Sequence, residues 1–197
     1  GQYKHHDWDY FTIEKSNGIW FDHLSFDQAY DGIIDVKEES SNLTISFSKF
    51  NFVPNDFIAE QINYLENNRE ENPYYNSLRN NLSKEEIEKW ASYQKKGFNL
   101  GNTTDGEGYE SISFTFHHLE VFNLQDRLPR IRKGDAHLYH IILDNTELDI
   151  LSKTLNKYGL SIVNQAIVTT EGGAVLMENS IFKNVASPIK NHQDSNS

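Results

Sequence analysis

The sequence predicts an α+β fold: a mostly antiparallel sheet from N-terminal hairpins and a C-terminal ββαββ unit, with a central helical layer over residues 53–97. Three observations lead there. Residues 43–50 alternate, with Leu43, Ile45 and Phe47 on one face and Thr44, Ser46 and Ser48 on the other, as in a sheet wetted on one side. Phe57, Ile58, Ile62 and Leu65 recur at helical spacing. From 111 to 181 the chain reads strand, basic loop, strand, helix, strand, Gly-Gly turn and strand.

In order along the chain, residues 8–14 alternate with period two. Ser16-Asn17-Gly18 then offers the positive φ that a tight hairpin needs before 19–24 returns. A second hairpin pairs 33–37 with 43–50 across the polar run Glu38-Glu39-Ser40-Ser41-Asn42. Behind Pro54 the period changes, and Asn55 or Asp56 caps a helix that frays into 67–73. Ser83-Lys84-Glu85-Glu86 is a capping box opening a helix with Ile87, Trp90 and Ala91 inward and Gly97 as its stop. Residues 101–108 hold three glycines among small polar residues and predict a mobile loop. Thr146 with Asp149 opens a further helix, whose apolar stripe is Leu148, Leu151, Leu155 and Tyr158 and whose C′ residue is Gly159. Residues 1–185 read as a single domain and 186–197 as a flexible polar tail. No internal repeat stands out beyond the recurrence of hairpins.

Bulk properties narrow the chemistry. The 197 residues include no cysteine, which excludes disulfides, thiolate nucleophiles and thiolate metal sites. The formal net charge of −11 repels polyanions over the average surface, so general nucleic-acid binding would need a local basic patch. No apolar run is long enough to span a bilayer. The GxSxG elbow, the P-loop and the GxGxxG fingerprint are absent.

Three constellations carry candidate chemistry. On the predicted strands at 112–122 and 137–143, His118, Glu120 and His140 offer nitrogen and oxygen donors for a divalent metal. The face bearing Ile112, Phe114 and Phe116 runs on into His118, Glu120 and Phe122, which puts polar groups where burial is expected. Either a β-bulge at His117-His118 hands the core face to Leu119 and Val121, or the sheet opens into a polar pocket. His5, Asp7 and Asp9 share strand spacing near the start and read more simply as a solvated terminus.

The loop holding Arg127, Arg130, Arg132 and Lys133 is where basic charge concentrates without an intervening acid, and it is the preferred anion-binding site. Opposite in sign, Trp20, Asp22, Phe26, Asp27, Tyr30, Asp31 and Asp35 interleave aromatics with acids, as a surface for a basic partner would. Two functional readings follow. The first is a non-catalytic bacterial interaction protein, an acidic binder or inhibitor of the immunity-protein kind, acting on a basic protein partner through residues 20–39 and needing no cofactor. The second is a metal-dependent hydrolase or small-ligand enzyme built on His118, Glu120 and His140.

Overall fold

The computed structural model describes residues 9–101 and 113–192. Its first coil contains β1 (Phe11–Glu14), β2 (Asn17–Asp22) and β3 (Ser25–Phe26), and its second β4 (Ile34–Lys37), β5 (Ser41–Ser46) and β6 (Lys49–Asn51). Helices α1 (Asp56–Asn67), α2 (Pro73–Leu78) and α3 (Lys84–Tyr93) come next, with a 3₁₀ turn at Arg69–Glu71. The third coil has β7 (Phe98–Leu100) and β8 (Ser113–Phe122), and the fourth β9 (Arg130–Arg132) and β10 (Asp135–Asp144). After α4 (Thr146–Asn156), β11 (Gln165–Thr170), β12 (Ala174–Glu178) and β13 (Ile181–Lys183) make the fifth, and β14 (Ser187–Asn191) begins another.

Every pairing between these strands is parallel, and each joins a strand to one from a neighbouring coil. One sheet, sheet A, runs β1-β4-β7-β9-β11-β14; the other, sheet B, runs β12-β10-β8-β5-β2, with β3, β6 and β13 on its continuation past a bend. The molecule is a parallel β-helix, which corrects the expected antiparallel α+β fold. The predicted hairpins do not form. Ser16-Asn17-Gly18 has the expected turn chemistry, with Lys15 and Gly18 at positive φ, but it turns the chain through a corner between two sheets. β1 then finds its partner in β4, and β2 in β5.

Stacking coils in register builds the core as columns. Phe21, Ile45, Phe116, Leu138 and Met177 form one column, and Phe26, Phe50, Val121, Leu143 and Phe182 another. The rings of Phe26 and Phe50 stack nearly parallel with centroids 5.5 Å apart. Most of these side chains are fully buried and supply the apolar contact that holds one coil on the next.

The reading in which Leu119 and Val121 take over the core face is what the structure shows. In β8, Phe114 and Phe116 are buried, His118 adopts φ +53°, and Leu119 and Val121 are buried beyond it. β10 repeats this pattern, with His140 at φ +54° between buried Leu138 and Ile141. The kink is a corner between two faces of the coil, and His23, Phe47 and Asn179 hold the same left-handed corner in the other coils.

The helices sit where their spacing places them. Asn55 caps α1 by accepting from Ile58 N at 3.0 Å, and Ser83 and Glu86 form the reciprocal box on α3. At α4 the Asp144 carboxylate, and not the predicted Thr146–Asp149 box, accepts from the first turn, through Thr146 N and Oγ1. The residues expected as a tail contribute β14, paired with β11. The loop expected at 101–108 falls, after Gly101, outside the described residues. Among the described residues no helix is long and apolar enough to cross a membrane.

At the His118 corner a β-branched side chain would clash with its own backbone. His118→Val is expected to cost about 1–2 kcal/mol in denaturant unfolding and His118→Asn under about 1 kcal/mol, because Asn tolerates the left-handed region. Equal losses would show that stacking, and not the backbone, dominates there.

Candidate functional site

The outer face of sheet A concentrates the polar chemistry. Register places Thr12, Asp35, Asn99, Arg130 and Val168 in one row across five coils. Asn99 joins its neighbours, donating from Nδ2 to Asp35 Oδ1 at 2.7 Å and accepting from Arg132 Nη1 at 2.9 Å. Arg132 also reaches Glu171, with Nε 3.6 Å from Oε1. At the edge where chain enters the sheet, Lys96 Nζ sits 2.9 Å from Asp31 Oδ1 and 3.1 Å from its Oδ2. Asp126 accepts from Arg127 N and Gln165 Nε2.

Two glycines let these coils approach closely enough to build the face. A β-carbon on Gly32 would come within 2.2 Å of the Asp9 carboxylate, and one on Gly97 within 2.2 Å of the Arg127 carbonyl. Gly97 N and Phe98 N donate to the Asp126 and Arg127 carbonyls, which fixes where Arg127 leaves the backbone. Its Nε is buried with no hydrogen-bond partner among the described residues.

Like charges gather at both ends of this face. Burial, then Asp35 and Asp31, push the Asp9 carboxyl up to about 6, against the pull of Arg127 and Lys96. Burial and then the Arg127 charge press the Arg130 guanidinium below its usual range, offset by Asp126 and Glu171. Arg132 is lowered by burial and by Arg130 and Arg127. Three guanidiniums thus lie close enough to repel one another at this end of the face.

The structure thus brings Arg127, Arg130 and Arg132 together, while Lys133 turns the corner into β10 at φ +60° beside Gly134, Asp135 and Glu171. His118 and His140 also meet, with Nε2 and Nδ1 3.1 Å apart, and His117 Nδ1 stands 2.9 Å from His118 Nδ1. They belong to an exposed stack at the sheet-B corner that runs from His23 over Phe47 to His118 and His140, and Glu120 lines the same groove. Among the described residues no group of three or more His, Asp or Glu is placed to hold a metal ion. His5 and Asp7 lie outside the described residues.

The acidic aromatic stretch does not form one surface. Trp20 donates to Ser46 Oγ at 2.7 Å from the outer face of sheet B, beside Asp22. Phe26 stacks between Tyr10 and Phe50, whereas Asp35 lies on sheet A and Asp31 in the bend that leads into it, where Asn99 and Lys96 engage them.

No family model matches the chain. Pectate lyase B of Paenibacillus amylolyticus is 37% identical over 210 residues, covering 98% of this chain and 54% of that protein. A pectate trisaccharide-lyase of Thermotoga maritima is 30% identical over 137 residues, covering 70% of this chain and 27% of that protein. The solved pectate lyase of Paenibacillus sp. 0602 superposes with a TM-score of 0.86 at 39% identity, over 99% of this chain and 48% of its own. The chain resembles pectate lyases. It spans about half the length of the Paenibacillus proteins. The cedar-pollen allergen jun a 1 shares the fold, with a TM-score of 0.51 at 19% identity over 84% of this chain and 32% of that one.

These similarities overturn the reading as a non-catalytic, immunity-type binder of a basic protein. The relatives are named as enzymes that act on an anionic polysaccharide, and the residues assigned to the partner surface point to different faces.

Lys96, Asn99 and Asp126 escaped the sequence reading, and Glu171 was read only as part of a Gly-Gly turn. Each is an ordinary surface residue in its own segment, and only the parallel register gathers them. The available signal was the recurrence of the corner residues: His23 and Phe47 are 24 residues apart and His118 and His140 are 22.

Ionising Asp9 is harder in the folded chain than in the unfolded one, so its contribution to stability falls as pH rises from about 4 to about 6. Asp9→Asn should therefore raise the melting temperature at pH 7, and the gain should vanish below pH ~4, where both side chains are neutral. A variant less stable than wild type at pH 7 would mean that the carboxylate is held by partners that outweigh its burial.

Proposed function

We propose that the outer face of sheet A is a cleft for a polyuronate and that the chain cleaves pectate by elimination. The arginine row on this face carries the reading, in a chain that resembles pectate lyase B over 98% of its length. Pectate presents one carboxylate per sugar. Elimination passes the proton on C5, beside that carboxylate, to a base, the C5 electron pair forms a C4–C5 double bond as the bond from C4 to the bridging oxygen breaks, and the departing oxygen takes up a proton. The C5 proton is weakly acidic because the neighbouring carboxylate is already negative. Cations that pair with the carboxylate stabilise the charge that builds up as the proton leaves.

Arg127, Arg130 and Arg132 supply that pairing, bidentate where the fork of a guanidinium meets two carboxylate oxygens. Asn99 holds Arg132 in place and Glu171 limits its swing. Their partial burial thins the water around them, which strengthens each interaction.

Asp9, Asp31 and Asp35 oppose a polyanion on the same face. Their donors are all oxygen and they crowd one another, a set that suits a hard divalent ion such as Ca²⁺. No three of them converge tightly enough to hold an ion alone, so carboxylates of the polymer would complete its shell. Such an ion would turn repulsion at this end into a bridge.

Incubated with polygalacturonate, the chain should produce a time-dependent ultraviolet absorbance from the unsaturated uronate. Arg130→Ala and Arg132→Ala should each lower kcat/KM about a hundredfold. No absorbance change and no retention by polygalacturonate from the unaltered chain would end the proposal. Removal of divalent ions with a chelator should weaken binding of the polymer, and Ca²⁺ should restore it; indifference to both would remove the bridging ion.

A further inference from the structure

Beside the Asp31–Lys96 edge of sheet A lies a second hollow, largely apolar and aromatic, with Ile58 and Ile62 in its lining next to two amides and one ammonium. It has a volume of about 250 Å³ and is walled by Tyr30, Phe57, Gln61, Ala91, Gln94 and Lys95. The helices inserted between the second and third coils form most of it, with α1 contributing Phe57 and Gln61 and α3 contributing Ala91. Tyr30 closes the side toward sheet A. Its ring meets Phe57 edge-on with centroids 5.1 Å apart, and it is 45% exposed.

Lys95 is the decisive group. Its ammonium donates to the Tyr30 carbonyl at 2.6 Å, and among the described residues no carboxylate lies within ion-pair distance of it. The nearby Asp31 is already engaged by Lys96 through both carboxylate oxygens. Burial lowers the Lys95 ammonium below its usual range, and Asp31, already shared with Lys96, offsets this only in part, so an anion entering here finds a cation that is partly desolvated and not directly ion-paired. The hollow also adjoins the cleft, because Tyr30 and Lys95 directly precede Asp31 and Lys96 on the sheet-A edge.

We propose that the Tyr30–Lys95 hollow is an outlying subsite for one uronate residue of a long polymer, an inference that rests on the polyuronate reading of the sheet-A face. The Tyr30 ring covers the apolar C–H face of the sugar, the Gln61 and Gln94 amides exchange hydrogen bonds with its hydroxyls, and Lys95 pairs with its carboxylate. Because the subsite lies to one side of the arginine row, walled by the helical insert and Tyr30, it selects for substrates long enough to reach past that row.

Calorimetric titration with polygalacturonate, trigalacturonate and fully methyl-esterified polymer tests this. Lys95→Gln should weaken polygalacturonate binding about fivefold, with a smaller loss on trigalacturonate and on the esterified polymer, which lacks the charge. Tyr30→Ala should weaken both polymers about threefold, since the ring acts on the sugar face and not on its charge. Gln94→Ala, at an exposed position, should show a smaller loss of the same kind and guards against misfolding of the other two. If wild type binds polygalacturonate and Lys95→Gln and Gln94→Ala bind it equally well, the subsite is wrong and the cleft survives. Losses that are the same for all three ligands also overturn the subsite. If wild type binds none of them, the polyuronate reading falls and the subsite with it.

Discussion

The structure depends on one constraint: the backbone N–H and C=O groups of each strand are satisfied by strands on neighbouring coils. To meet it, the chain must advance one strand spacing, about 4.8 Å, for every circuit. Residues at equivalent points of successive circuits are then forced into columns. Inside, this produces runs such as Phe26, Phe50, Val121, Leu143 and Phe182. Outside, it produces the row of Thr12, Asp35, Asn99 and Arg130, which come from four separate segments of sequence. The candidate face follows from register, with loops and helices adding walls.

Much of the local structure was legible because local physics decides it. Asn55 and Ser83 cap helices wherever they are placed, and the phase shift past His117-His118 follows from the hydrophobic pattern alone. Strand pairing was not legible. In β5, buried Leu43 and Ile45 alternate with more accessible Asn42 and Thr44, a pattern that suits an antiparallel sheet wetted on one side and equally suits the wall of a solenoid. Ser16-Asn17-Gly18 can close a hairpin or turn a corner with the same residues. The helices 56–93 and α4 stretch the spacing of equivalent corners and hide the repeat that would have settled the matter.

The candidate site shows the same division. The basic stretch at 127–133 was visible as composition, and it lies on the face that now carries the functional proposal. Its neighbours were not visible, since Lys96 and Asp126 meet only through the parallel pairing of their segments. Net charge misled more than it helped. A total of −11 argues against a polyanionic ligand only if charge is spread evenly, and in salt solution a surface charge acts over roughly 8 Å. Within that distance of Arg130, what counts is Arg127, Arg132 and the acids that hold them, whatever the other side of the molecule carries.

The order in which coils deliver their charges gives the face a polarity along the axis. Asp9 belongs to the first coil, Asp31 and Asp35 to the second, Lys96 to the third, and Arg127, Arg130 and Arg132 to the fourth. The potential climbs from negative to positive over a few strand spacings. A charged fragment shorter than that slope cannot slide freely, because with no bridging cation every step toward the aspartates raises its energy and every step toward the arginines lowers it. Such a fragment comes to rest toward the arginines unless a cation bridges it to the aspartates, and the shorter it is, the more completely its binding is decided by which end of the slope it occupies.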